Sequence, residues 1–287
     1  MDFLLAGADF LRRRGCPSPR LDAELLLAHR LGRERLTLYL DFERPLSQEE
    51  QDDYRRLLLR RAEGEPVAYI LGEKEFFSRT FRVDRRVLIP RPESELLVEV
   101  GLKALPRESP GRFADVGTGS GCLAVALAGE RPRARGWLTD ISPAALEVAG
   151  ENVARAGLTG RLQLFPGDLL APLQGILAPG SLDLVVCNPP YVEPGDPDLE
   201  PEVAAWEPAA ALHPGPGGFG GLCRRLALQA RDLLKPGGLL ALECPPTRID
   251  QARAALGEGW EPPNQETDTA GHQRVVHARR GRTTASP

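Results

Sequence analysis

Apolar positions along this chain change their spacing after about a quarter of its length. At first they recur every three or four residues: Leu4, Ala8 and Leu11, then Leu21, Leu25 and Ala28. That spacing puts side chains on one face of a helix. Ser18 and Pro19 precede the second run, with proline at a first helical position. Ser47 and Glu50 form a capping-box pair ahead of "QDDYRRLLLRRA". Residues 1–72 therefore read as a small all-helical bundle, its last helix ending near Gly64–Pro66. "EKEFFSRTFRV" (73–83) then places two short aromatic strands around Ser78–Arg79, a hairpin pattern. Residues 73–90 read as a β-hairpin connector, and a helix opens at Glu93 or Ser94.

Past residue 111 the period alternates. "RFADVG", "RGWLTD", "RLQLFPGD", "LDLVVC" and "GGLLALEC" are short apolar strands. "SGCLAVALAGE", "SPAALEVAGENVARAG", "CRRLALQARDLL" and "RIDQARAAL" carry helical spacing, with Ser142 as N-cap and Pro143 in the first turn. "QRVVHAR" adds a last strand. Alternating strands and helices predict an α/β, Rossmann-like parallel sheet covered on both faces, over residues 91–280. The polar tail, 281–287, reads as loose.

Composition narrows the class. With 42% hydrophobic residues in 287, a core of ordinary size is available. No run of about 18 apolar residues occurs, so no membrane helix is expected. Basic residues follow the apolar ones in Met1–Arg14, the wrong order for a secretory signal. Five scattered cysteines without a Cys-x-x-Cys pair read as reduced thiols of a cytoplasmic protein. The four histidines make no metal-ligand pattern, and no metal is expected. Net charge is −4, and basic and acidic side chains nearly balance over residues 1–72. Stable nucleic-acid binding is not expected from such a chain.

The chemistry concentrates at strand ends. "ADVGTGSGC" puts Gly117, Thr118, Gly119, Ser120 and Gly121 in the turn after the first strand of the sheet. That edge is where open α/β sheets bind ligands. The spacing Gly-x-Gly-x-Gly is neither the dinucleotide fingerprint nor a phosphate loop. An acid before the loop, Asp115, would repel a diphosphate and suits a cation such as S-adenosylmethionine. Asp140, ending the second strand, sits where a carboxylate would grip a ribose diol, although an NAD ribose would use the same acid. Asp168 follows the third strand, where it could accept from an adenine amino group with Leu169 against the ring; a solvated loop aspartate reads nearly as well.

"LVVCNPPYV" ends the fourth strand at the same edge. A planar amide or aromatic amine nitrogen attacks a methyl group poorly because its lone pair is delocalised. Two fixed acceptors holding both N–H bonds would aim that lone pair and take up developing charge. The Asn188 side-chain oxygen and the Pro189 carbonyl are such a pair. Pro189 and Pro190 stiffen the chain and keep carbonyls out of the ladder. Tyr191 can lie flat on a planar group.

The chain is similar to the class I, Rossmann-like methyltransferases, and within them to the peptide chain release factor glutamine methyltransferases. The segments that carry the resemblance are "RLDAELLLAHRLG", "EPVAYILGEKEFFSRTFRV", "VLIPRPESELLVE", "DVGTGSGCLAVALA", "VVCNPPYV", "EPAAAL" and "DTAGHQRVV", spread over nearly the whole length. The resemblance implies methyl transfer from S-adenosylmethionine to the amide nitrogen of the glutamine in the Gly-Gly-Gln motif of class 1 release factors. It implies cofactor contacts at Gly117, Gly119, Gly121, Asp140 and Asn188, and glutamine recognition by Asn188, Pro189, Pro190 and Tyr191. Pro90, Arg91 and Glu93 match a segment beside the site. The bundle is expected to hold the protein substrate. Two loops depart from the family pattern: "HPGPGGFGG" (213–221) lacks an aspartate, and Glu243 is followed by Cys244, Pro245 and Pro246.

Four other readings share some of these features. An N6-adenine methyltransferase of RNA or DNA would use the same Asn188–Tyr191 segment but needs a basic groove. A glutamine methyltransferase of a ribosomal protein is a close cousin. A non-catalytic partner-binding module would not bind S-adenosylmethionine. A nicotinamide enzyme would need different glycine spacing.

Overall fold

The computed structural model describes residues 2–40, 44–193, 195–196 and 199–282. The expected loose tail falls largely on 283–287, outside the described residues. Two compact units result, one of residues 1–74 with 200–206 and one of residues 75–199 with 207–287.

In the first unit α1 (Asp2–Arg13), α2 (Pro19–Leu31), α3 (Thr37–Leu40), α4 (Gln48–Ala62) and α5 (Val67–Leu71) follow in order. The capping box forms as read: Glu50 N–H donates to Ser47 Oγ and Ser47 N–H to Glu50 Oε2. Ser18 precedes Pro19 without a side-chain cap. Leu4, Ala8, Leu11, Ala23, Leu26 and Leu58 form the shared core. Arg61 is buried in it, donating to Asp22 at 2.7 Å and pairing with Glu202 at 2.9 Å.

In the second unit β1 (Glu73–Phe76) and β2 (Arg79–Arg82) form a two-stranded hairpin whose β1 begins in the first unit's range. Phe77 and Ser78 both have positive φ, 49° and 55°, the backbone of a tight hairpin turn. A 3-10 turn, Pro92–Ser94, leads into α6 (Glu95–Ala104). Then come β3 (Arg112–Val116), α7 (Cys122–Glu130), β4 (Arg135–Asp140), α8 (Pro143–Arg155), β5 (Leu162–Pro166) and β6 (Leu182–Cys187). After β6 lie the short α9 (Pro201–Trp206) and α10 (Ala209–Leu212), which the apolar pattern does not announce; α9 belongs to the first unit. α11 (Gly218–Leu233), β7 (Leu234–Glu243), α12 (Ile249–Ala255), β8 (Asn264–Thr267) and β9 (Gln273–Arg279) complete the chain.

The sheet order is β5-β4-β3-β6-β7-β9-β8. β5, β4, β3, β6 and β7 are parallel, so the α/β expectation holds. β9 runs antiparallel to β7, and β8, absent from the sequence reading, is antiparallel to β9. Both faces are covered, as a parallel sheet requires. Ala114, Val185, Cys187, Leu240 and Val276 face α11 and α12. Their neighbours Phe113, Leu184, Val186, Leu239 and Val275 face α6, α7 and the hairpin's Phe76 and Phe81. α11 begins at Gly218, five residues before the predicted Cys223, because Gly217 at φ 87° provides its start.

Candidate active site

The parallel register sets the site. Val116 of β3 is opposite Thr139 of β4 and Cys187 of β6, so three strands stop together. Gly117 and Thr118 N–H both donate to the Thr139 carbonyl, at 2.9 and 3.0 Å, folding the loop over the end of β4. Gly117, Gly119 and Gly121 have φ of 67°, 54° and 79°, a region closed to most side chains. Asn152 of α8 ties the loop to the hairpin: its Nδ2 donates to Ser120 O at 2.8 Å and Arg82 O at 2.9 Å.

A cavity of about 340 Å³ opens at this edge. Gly117, Thr118, Gly119, Ser120, Asp140, Asp168, Leu169, Asn188, Pro189, Pro190, Pro90 and Arg91 all line it. Asp140 accepts Gly119 N–H on Oδ2 and Ser142 N–H on Oδ1, each at 2.9 Å. Burial pushes its carboxyl above the ordinary value, opposed by these N–H donors. Asp168 pairs with Arg225 at 2.5 Å, and Leu169 sits at φ 52°, an uncommon backbone for a bulky residue.

Three sequence candidates stand behind the wall rather than in it. Gly121 caps α7 and would bring a Cβ to 3.3 Å from that of Ala149. Tyr191 packs against the core face below α11, and burial pushes its hydroxyl up. Glu93 lies 3.9 Å from Arg274. Asp115, read as facing a cationic ligand, instead points inward. It is fully buried, accepting from Thr118 Oγ1 at 2.7 Å and Ala124 N–H at 3.2 Å, and desolvation raises it to about 7. It organises the loop because the start of α7 needs an acceptor there. Cys122 and Cys187 line the cavity, but burial pushes both thiols up, Cys122 to about 12. Neither is a thiolate nucleophile at neutral pH.

Sequence reasoning passed over three acidic or hydroxyl side chains. Ser94 accepts from Asn188 Nδ2 at 3.2 Å. Glu243, at the end of β7, is buried with its Oε2 lacking a hydrogen-bond partner, and desolvation raises it to about 7. Glu207 accepts Ile89 N–H at 3.1 Å and Arg91 Nη2 at 2.5 Å, joining two of the quoted family segments. The 213–221 loop places Pro214, Gly215 and Pro216 on the cavity wall.

The lining thus combines the glycine-loop backbone, a carboxylate with both oxygens held by N–H donors, and the apolar Leu169. Residues 2–72 match the PrmC N-terminal domain and residues 93–205 the methyltransferase small domain. A release factor glutamine methyltransferase of Nitratidesulfovibrio vulgaris is 41% identical over 92% of this chain and 89% of its own. One of Cereibacter sphaeroides is 40% identical over 97% of each.

The chain belongs to the release factor glutamine methyltransferases.

A relative from Moorella thermoacetica in the same family is 44% identical over 80% of this chain and 79% of its own. A solved Pyrococcus furiosus methyltransferase has the same fold, with a TM-score of 0.51 at 16% identity, covering 80% of this chain and 99% of its own. Among the described residues of this family member no helix is long and apolar enough to cross a membrane.

Proposed function

We propose that this chain transfers a methyl group from S-adenosylmethionine to the side-chain amide nitrogen of the glutamine in the Gly-Gly-Gln motif of class 1 release factors. One observation carries the reading. Asn188, Pro189 and Pro190 line the same cavity as the glycine loop and Asp140.

S-adenosylmethionine supplies an electrophilic methyl group on a sulfonium centre. The rest is positioning by the chain. Asp140 would hold the ribose hydroxyls, and Asp168, paired with Arg225, and Leu169 would hold the adenine. β6 ends at Cys187, so the carbonyl of Pro189 lies beyond the strand ladder. Asn188 Oδ1 and Pro189 O accept the two amide N–H bonds, turning the nitrogen lone pair toward the methyl. Holding reactants in such geometry can lower a barrier by about 7–11 kcal/mol. Arg91, on the cavity wall, shapes access for the glutamine side chain, and Tyr191 and Glu93 support that wall from behind. The first unit binds the release factor, which explains why a helical bundle accompanies a sheet that already carries the chemistry.

The test is transfer of labelled methyl from S-adenosylmethionine to a purified release factor, read by peptide mass spectrometry. Label on the Gly-Gly-Gln glutamine supports the reading. Label only on RNA, DNA or a ribosomal protein overturns it.

A further inference from the structure

We propose that His213 is a positioning residue for the transfer: its ring holds the carbonyl of Val192 and so fixes the far end of the Asn188–Tyr191 segment. The inference rests on the reading of that segment as the holder of the glutamine amide.

A backbone carbonyl can aim a substrate nitrogen only if its own chain is held still. Upstream, the segment is held by the sheet. Cys187, the last residue of β6, is opposite Val116 of β3 and Leu242 of β7. Beyond it the ladder stops. Pro189 and Pro190 have no N–H to give. Among the described residues, none from Asn188 to Tyr191 makes a backbone-to-backbone hydrogen bond. The stretch that carries the Pro189 acceptor thus spans a gap between two anchors.

The second anchor is Val192, which is 8% exposed. Its N–H donates to the Leu212 carbonyl at 2.9 Å, and its own carbonyl lies 2.8 Å from His213 Nδ1. A carbonyl oxygen only accepts, so Nδ1 carries a proton and donates it. Leu212 and His213 therefore grip both polar groups of Val192, as a neighbouring strand would, with a side chain in place of one backbone donor. The His213 backbone N–H does not serve here: it is turned back on the Ala209 carbonyl at 2.9 Å, at the end of α10. The Val192 carbonyl is left to the imidazole.

Two further observations tie this contact to the site. His213 lines the cavity together with Asn188, Pro189 and Pro190. It also opens "HPGPGGFGG", the stretch that departs from the family pattern. At its first position that stretch supplies a ring donor with the reach this anchor needs, so the departure bears on the chemistry. A side chain without a donor there would leave the carbonyl of a buried residue unpaired and the segment held at its far end by one hydrogen bond instead of two.

The experiment is steady-state kinetics of the full chain with a release factor and S-adenosylmethionine, beside calorimetric titration of the cofactor. His213→Leu keeps the bulk and removes the donor. It should lower kcat by about 10- to 100-fold, the scale of a small misplacement of reacting groups, and leave cofactor affinity within about twofold. His213→Asn places an amide N–H donor at the same δ position and should restore most of the rate. His213→Gln carries its donor one atom further out and should stay near the His213→Leu rate. Wild-type kcat in His213→Leu overturns the proposal. So does loss of cofactor binding in step with rate, since that marks a merely structural role. Equal rates in His213→Asn and His213→Gln overturn it too, and that comparison decides alone if His213→Leu fails to fold. Absence of methylation by the wild-type chain would instead refute the proposed function, and so remains distinguishable.

Discussion

Glu207 receives the guanidinium of Arg91 at 2.5 Å while its other oxygen takes the Ile89 N–H. The Glu207 side chain is 2% exposed and that of Arg91 31%. One carboxylate, just ahead of α10, thus braces the chain at Ile89 and Arg91. Glu207→Ala removes the acceptor and leaves a buried N–H unpaired. It should destabilise the fold by about 1–3 kcal/mol, with the half-exposed guanidinium adding little. Urea denaturation measures this; an unchanged midpoint would show that the brace contributes nothing.

Asn188→Ala removes the proposed side-chain acceptor and leaves the Pro189 carbonyl in place. The rate should fall by about 100- to 1000-fold, as when one preorganised polar group is lost from a transition-state site. The protein should stay folded and still bind S-adenosylmethionine by calorimetry. A near-normal rate would sink the two-acceptor mechanism.

Gly119→Ala probes the loop. Gly119 sits at φ 54° and its N–H reaches Asp140. A side chain in that backbone region costs about 1–2 kcal/mol, and cofactor affinity should drop roughly tenfold as the loop relaxes. Calorimetric titration of wild type and variant reads this directly. Equal affinities would mean the loop does not cradle the ligand.

Two buried acids make stability depend on pH. Burial raises Glu243 from 4.5 to about 7 and Asp115 from 3.8 to about 7. Both folded values exceed the unfolded ones, so between them the native chain binds more protons. Their stabilising effect is complete below the unfolded values and disappears as pH rises through about 7. The thermal midpoint should therefore fall from about pH 5 to about pH 8, and Asp115→Asn or Glu243→Gln should flatten that slope. The carboxyls held low by arginines, Asp84 and Asp268, act in the opposite sense: their contribution is present above their ordinary values and lost as pH falls further.

Residues whose meaning is local were legible in the chain. Ser47 with Glu50, Ser142 with Pro143, and the three loop glycines each act within a few positions of themselves. The alternation of short apolar strands with helical runs past residue 111 likewise declared a covered parallel sheet. Asn188 and its prolines were readable because a strand seldom ends that way without a use for free carbonyls. Only the tertiary structure decided the partners. Whether Asp115 faces ligand or core depends on where α7 starts above it. That Ser94 meets Asn188, or Glu207 meets Arg91, depends on strand order and register, which bring distant segments to one edge. Periodicity and caps are short-range properties of a chain, whereas the pairing of one buried polar group with another is settled only when the sheet closes around them.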